Sequence, residues 1–217
     1  MKNQIVLKMF QDHNDDNIAL TSETNSKLLY GELKLFVNNI SRQLAGNGIT
    51  NKDRAAIILP NGSYMASSFL AISSYMSAAP LNPAYKTNEY EFYLKDLSPK
   101  IVIVEPNSKN NVIEVAKKLK IPVCEIKIQK DSPSGLFDLF EKSSEYSLPE
   151  ENDEALVLHT SGTTSRPKIV PLTNKNIFSS AVNISKSLEL SEIDHCLNIM
   201  PLFHIHGLIA ILATSMK

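Results

Sequence analysis

The sequence AAIIL at Ala55–Leu59 decides the fold, because an unbroken apolar run predicts a strand that is buried on both faces. The turn-forming residues Pro-Asn-Gly follow at 60–62, and Ser63 is then a good N-cap for a helix rich in Ala, Ser and Met that runs to Ala79. A second apolar run, IVIV at Ile101–Val104, predicts another buried strand. Buried strands that alternate with helices predict a mainly parallel sheet covered by helices, which is the α/β class.

The same alternation continues on both sides of this core. Upstream, apolar residues at helical spacing predict a helix that ends near Gly46 and Gly48. Downstream, the patterns predict a helix around Tyr90–Leu97, a helix at 111–119, strands at 123–128, 155–159 and 169–172, a helix at 174–188, a strand at 197–200 and a helix at 208–213. We therefore expect residues 1–128 to form a first α/β half and residues 155–217 a second half, joined by the polar, acidic surface segment 129–154.

The composition is that of a globular chain without a dominant charge. Of 217 residues 43% are hydrophobic, and 22 Lys and Arg against 23 Asp and Glu give a net charge of −1. These values exclude wholesale disorder and argue against nucleic acid or an anionic membrane as partner. The two cysteines match no zinc or redox spacing, which predicts a reducing compartment. Two long uncharged runs, at 55–85 and 195–215, contain too many Ser, His and Pro residues for a bilayer span.

The strongest chemical signal is the segment HTSGTTSRPK at His159–Lys168, which directly follows a predicted buried strand. Its glycine allows backbone N–H groups to turn inward, its five hydroxyls can donate hydrogen bonds, and Arg166 and Lys168 add positive charge. No acidic residue occurs between Ala155 and Leu188. These are the groups that a polyphosphate site needs, and the alternative is a solvated turn rich in Ser and Thr. The chain contains neither a Walker loop nor a dinucleotide fingerprint.

This segment resembles the phosphate-binding signature of the AMP-forming adenylating enzymes, a family that includes the acyl-CoA synthetases. Further resemblance is found in LLYGELKLFVNNISRQLAGNGI, in IILPNGSYMASSFLAISSYMSAAPLNPAYKTNEYEFYL and in PLFHIHG at 201–207, which is similar to the motif that lines the acyl pocket. The combination of TTSRPK and PLFHIHG is most like the oxalate–CoA ligase branch. A typical member has glycine where this chain has Ser165, Arg166 and Ile169.

The resemblance implies the N-terminal part of the large domain of an adenylate-forming enzyme, with layered sheets, two of them packed together, and flanking helices. It also implies a carboxylic acid–CoA ligase that uses ATP, Mg²⁺ and coenzyme A, with oxalate as one candidate acid. Two alternatives remain: a non-catalytic nucleotide-binding module, and an adenylating enzyme that passes the acyl group to a carrier protein. We expect a cytoplasmic protein, with the peroxisome left open. We also expect the rest of the site in chain beyond Lys217, so that these 217 residues alone are inactive.

The resemblance also implies roles for individual residues. The phosphate cradle comprises Thr160, Ser161, Gly162, Thr163, Thr164, Ser165, Arg166 and Lys168. Lys168 is expected to contact the leaving pyrophosphate, and His204 is expected to contact the substrate carboxylate or the α-phosphate, with His206 and Gly207 as further substrate-binding residues. On an extended strand, His204 and His206 would face the same way.

The histidines have two other interpretations. His204 and His206 could ligate a metal together with His195 or Cys196, although this spacing fits no common zinc template. Alternatively, His204 packs beside Phe203 as an ordinary core residue. We assign no metal ligand. The three remaining histidines, His13, His159 and His195, receive no role.

Overall fold

The structure, a computed structural model, describes residues 4–22, 24, 26–160 and 167–217. Its strands are Ile18–Thr21 (β1), Lys27–Leu29 (β2), Arg54–Ile58 (β3), Ser77–Pro80 (β4), Ile101–Val104 (β5), Val123–Glu125 (β6), Glu154–Thr160 (β7) and Lys168–Thr173 (β8). Its α-helices are Tyr30–Gly46 (α1), Ser63–Ser73 (α2), Thr87–Leu97 (α3), Val112–Lys118 (α4) and Asn174–Ser187 (α5). A 3₁₀ helix covers Val6–Met9 and a π-helix covers His206–Ala213.

The main sheet has six strands in the order β6-β5-β3-β4-β7-β8, and β1 and β2 form a separate antiparallel pair. The neighbours from β6 to β7 are parallel, whereas β8 is antiparallel to β7. The α/β class is therefore confirmed. Because parallel strands end on the same side, the carboxyl ends of β3 to β7 share one edge of the sheet, here named the carboxyl edge. Ligands of open α/β sheets bind at this edge.

Different helices cover the two faces of the sheet, because successive strand residues point to opposite sides. On the first face, Ile57 and Leu156 join a core that includes residues of α1, α2, α5 and the π-helix. On the second face, Ile58 and Val157 pack with residues of α3 and α4. We name these the α2 face and the α3 face.

The predicted helix from Ser63 to Ala79 is wrong at its C-terminal end. The helix ends at Ser73, and Ser77–Pro80 forms β4 between β3 and β7. All four residues of β4 are buried, and Ala78 and Ala79 contribute to the cores on opposite faces. The helix propensity of Ala is overridden here by burial on both faces of the sheet.

The predicted strand at 197–200 is also wrong. The structure has no strand there, and Leu197 and Ile199 are 83% and 77% exposed. An alternating apolar pattern forms a strand only where a neighbouring backbone pairs with it. Among the described residues, none of the strands lies beside this segment.

The two predicted halves share one six-stranded sheet, because β7 pairs with β4 at Leu156 and Ala78. The described residues form this one six-stranded sheet and the two-stranded pair β1–β2, instead of two large sheets packed together. Most residues of the connecting segment 129–154 are exposed or half-buried, but Phe137 and Leu139 are buried on the α2 face. No helix in the part of the chain that the structure describes is long and apolar enough to cross a membrane.

Candidate active site at the carboxyl edge

The segment His159–Lys168 begins on β7 and ends on β8. Thr160 is the last residue of β7, Lys168 is the first residue of β8, and the two are paired across the antiparallel ladder. Both residues are exposed. The other predicted cradle residues, Ser161, Gly162, Thr163, Thr164, Ser165 and Arg166, lie outside the described residues. The structure therefore defines the two ends from which this segment extends.

Strand alternation places the side chains of Thr160 and Lys168 on the α2 face. Leu158, two residues before Thr160, packs in the core of that face. Ile169, next to Lys168, packs against the core of the opposite face. Since residues that face each other across a ladder point to the same side, the side chains of Thr160 and Lys168 project from the same side of the sheet.

The PLFHIHG segment, residues 201–207, is held near the same edge. The Oδ1 atom of Asn61, in the turn after β3, accepts a hydrogen bond from the backbone N–H of Leu202 at 2.8 Å. Leu202 and Leu208 are buried in the core of the α2 face. β3 and β7 are separated in the sheet by β4, so their ends lie about 10 Å apart at the usual strand spacing. The segment that contains His204 thus lies at the same edge of the sheet as Lys168 and packs on the same face.

His204 and His206 do not lie on an extended strand, so the condition under which they would face the same way is not met. The N–H of His204 donates to the carbonyl of Pro201 at 3.1 Å in a turn, and His206 is the first residue of the π-helix. Both side chains belong to exposed residues. His204 is therefore not a core residue packed beneath Phe203, although the two rings are neighbours with centroids 6.2 Å apart.

Gly207 is required by packing. It is buried, and a Cβ atom at this position would lie 2.5 Å from the carbonyl oxygen of Pro201 and 3.1 Å from that of Met200. The carbonyl of Gly207 also accepts a hydrogen bond from the side-chain amide of Asn198 at 3.2 Å. A larger residue would push the backbone of Met200 and Pro201 away from the start of the π-helix. This glycine therefore helps to set the position of the turn that contains His204.

His159, which receives no role from the sequence patterns, has a defined environment. Its side chain is 5% exposed, and its Nε2 atom lies 2.8 Å from Oδ2 of Asp96 in the last turn of α3. The ring packs against Tyr93 with centroids 4.6 Å apart and against Phe92 at 6.3 Å. Asp96 is 63 positions away in sequence, so no local pattern could have identified this pair. The signal in the sequence was the position of His159 next to the hydroxyl-rich segment.

The described residues offer no metal centre. No group of three or more His, Cys, Asp or Glu side chains is arranged to hold an ion within 4–22, 26–160 and 167–217. Cys196 and His195, the additional ligands considered for a histidine site, are both exposed. Mg²⁺ in proteins is usually held by one or two carboxylates together with substrate phosphates, and we assign it no ligand among these residues.

Comparison with known proteins identifies the family. The family model described as AMP-binding enzyme matches residues 8–217. A probable CoA ligase of Humulus lupulus is 36% identical over 210 residues, covering 93% of this chain and 40% of the relative. The oxalate–CoA ligase of Arabidopsis thaliana is 36% identical over 208 residues with the same two coverages, 93% and 40%.

The fold has solved counterparts. The o-succinylbenzoate coenzyme A synthetase of Bacillus subtilis, in complex with ATP and magnesium ion, superposes with a TM-score of 0.77 at 26% identity. The match covers 97% of this chain and 54% of that one. The chain thus spans 40% of the length of the two plant relatives, and it belongs to the family of AMP-binding enzymes.

Proposed function

We propose that this chain supplies the phosphate-binding part of an ATP-dependent carboxylic acid–CoA ligase. In this reaction the acid attacks the α-phosphorus of ATP, which gives an acyl-adenylate and pyrophosphate, and the thiol of coenzyme A then displaces AMP. The observation on which the proposal rests is the pairing of Thr160 with Lys168 at the two ends of a segment rich in hydroxyls and cations. The family match and the relatives named CoA ligases support it.

Lys168 has the chemistry for the leaving group. Negative charge accumulates on the β- and γ-phosphates as the bond to the α-phosphorus breaks. An ammonium group beside them therefore stabilises the transition state more than it stabilises the ground state. The exposed position of Lys168 leaves its amine accessible to a ligand at the carboxyl edge. Thr160, Ser161, Gly162, Thr163, Thr164, Ser165 and Arg166 would complete the cradle with N–H, hydroxyl and guanidinium donors. Mg²⁺, when bound to ATP, supplies further neutralisation of the phosphates.

His204 is proposed to contact the acid or the α-phosphate. Its exposure and its place on the same face as Lys168 support this role. For a small diacid such as oxalate, a histidine donor would pair with a carboxylate that an apolar pocket would leave unsatisfied. The naming of the Arabidopsis relative as an oxalate–CoA ligase supports oxalate as the first acid to test. His206 is exposed at the start of the π-helix and is a further candidate contact for the acid.

A chimaeric enzyme tests the proposal. Residues 8–217 would replace the matched part of the Arabidopsis oxalate–CoA ligase, so that this chain contributes the site and the relative contributes the rest. We expect release of pyrophosphate that depends on ATP and on the acid, with oxalate preferred over acetate and malonate. Coenzyme A and a phosphopantetheinyl carrier protein would be compared as acyl acceptors. A well-folded chimaera that binds ATP without any acid-dependent pyrophosphate release would favour the non-catalytic module instead.

A further inference from the structure

The end of β7 is supported unevenly. β8 pairs with β7 as far as Thr160, whereas β4 pairs with β7 at Leu156, near the start of the strand. The last residues of β7 therefore depend on β8 and on their own side-chain contacts for their position. His159 makes such a side-chain contact directly before Thr160, the first residue of the predicted phosphate cradle.

The contact of His159 with α3 fixes both the orientation of the imidazole ring and the ring nitrogen that carries the proton. An ionised carboxylate can only accept hydrogen bonds, so Nε2 of His159 must carry the proton that is shared with Oδ2 of Asp96 at 2.8 Å. The edge of the ring is further fixed by Tyr93, which itself stacks on Tyr85 with centroids 4.7 Å apart. A buried imidazole without its partner would leave an unsatisfied polar group, so the ring has one favourable position.

This contact lies on the opposite side of the sheet from the predicted ligand. His159 alternates with Thr160, so its ring points to the α3 face while the hydroxyl of Thr160 points to the α2 face. His159 therefore has the geometry to hold the backbone of β7 from the α3 face, opposite the predicted ligand. It does not have the geometry to reach a phosphate bound beside Lys168.

We propose that His159 is a positioning residue, and that its hydrogen bond to Asp96 fixes the end of β7, and with it the position of Thr160 opposite Lys168, for polyphosphate binding. The proposal rests on the proposed phosphate-binding function and adds a residue to it. Asp96 belongs to the last turn of α3, so the position of Thr160 depends on that helix as well as on β8.

The experiment uses the chimaeric enzyme and measures its affinity for inorganic pyrophosphate by isothermal titration calorimetry. The variants are His159→Phe, which keeps an aromatic ring beside Tyr93, and Asp96→Ala, which removes the acceptor. The matched control is Glu91→Ala, the same type of change on the same helix, since Glu91 pairs with Lys95 and Lys118 instead. Melting temperatures are recorded for every variant.

We expect His159→Phe and Asp96→Ala each to weaken pyrophosphate binding by about three- to tenfold. The double variant should bind no more weakly than the more affected single variant, because the effects of contacting residues are not additive. Glu91→Ala should bind as the wild type does. Equal affinity in all variants, measured well below their melting temperatures, would overturn the positioning role alone. A wild-type chimaera that binds no pyrophosphate would instead overturn the phosphate-binding function, and this proposal with it.

Discussion

The side chain of Asn61 accepts a hydrogen bond from the backbone N–H of Leu202 at 2.8 Å, across 141 positions of sequence. The bond joins the turn after β3, which is one of the two central strands of the sheet, to the segment that contains His204. The position of His204 at the carboxyl edge therefore depends on a polar residue in the first part of the chain.

Replacing Asn61 by Ala should loosen the PLFHIHG segment. The N–H of Leu202 loses its acceptor, and we expect a decrease in the free energy of unfolding of about 0.5–1.5 kcal/mol, measured by urea denaturation. Asn51→Ala is the control, because the amide of Asn51 lies at 3.5 Å from its nearest acceptor, the carbonyl of Leu148. Faster amide exchange at 201–207 in the Asn61 variant alone would confirm the assignment. The same exchange rates in both variants would contradict it.

Lys168→Ala in the chimaeric enzyme should lower the rate of acid-dependent pyrophosphate release by about 10²-fold, which is the usual effect of losing one donor to the charge of a transition state. Lys175→Ala is the matched control, since Lys175 follows the far end of β8 and lies 3.4 Å from Glu151. Pyrophosphate exchange at the wild-type rate in the Lys168 variant would remove Lys168 from the proposed site.

His204 and His159 should respond differently to substitution by Ala. His204 is exposed, so His204→Ala should reduce turnover of the chimaera with little change of melting temperature. The side chain of His159 is 5% exposed and hydrogen-bonded, so His159→Ala should lower the free energy of unfolding by about 1–3 kcal/mol. A melting scan beside a turnover assay separates the two effects. Normal turnover in the His204 variant would argue against its proposed contact.

The two cysteines should differ in reactivity. Burial raises the pKa of the Cys124 thiol to about 11 from its ordinary value of 9.0, whereas Cys196 is exposed. At pH 8, iodoacetamide should therefore label Cys196 in the folded protein and Cys124 only after unfolding. Mass spectrometry of peptides checks this result, and rapid labelling of Cys124 without denaturant would contradict its burial.

The raised pKa values also predict the effect of alkaline pH on stability. Burial raises the pKa of Tyr90 to about 12 and that of Cys124 to about 11, so both groups ionise more readily in the unfolded chain. Their contribution to stability is complete below pH 9 and should be lost as the pH rises from about 9 to 12. Urea denaturation across this pH range measures the loss in the free energy of unfolding. Comparison with Cys124→Ala shows how much of that loss is due to the thiol.

The 217-residue chain alone is expected not to adenylate an acid. Its predicted phosphate cradle offers three or four charge-assisted hydrogen bonds, each worth about 1.5–3 kcal/mol at best, against an association cost of about 4–15 kcal/mol. The chain matches 40% of its plant relatives, and the remaining part of those enzymes has no counterpart in these residues. Incubation with ATP, Mg²⁺, oxalate and coenzyme A should give no pyrophosphate above a blank. Reproducible acid-dependent release would contradict this prediction.

The sequence alone determined the features that local patterns encode. The runs AAIIL and IVIV are apolar throughout because both faces of a parallel sheet are covered, and they predicted β3 and β5 correctly. The density of hydroxyls and cations at 159–168 identified the candidate phosphate-binding segment, since donor chemistry is visible in composition.

Tertiary structure alone decided the features that depend on distant neighbours. Ser77–Pro80 became a central strand because two strands flank it, whereas Leu197–Met200 remained without a strand because no strand of the described residues lies beside it. The pairing of His159 with Asp96 and of Asn61 with Leu202 likewise joins residues far apart in sequence. A hydrogen bond or a strand pairing needs two partners, and a local pattern contains only one of them.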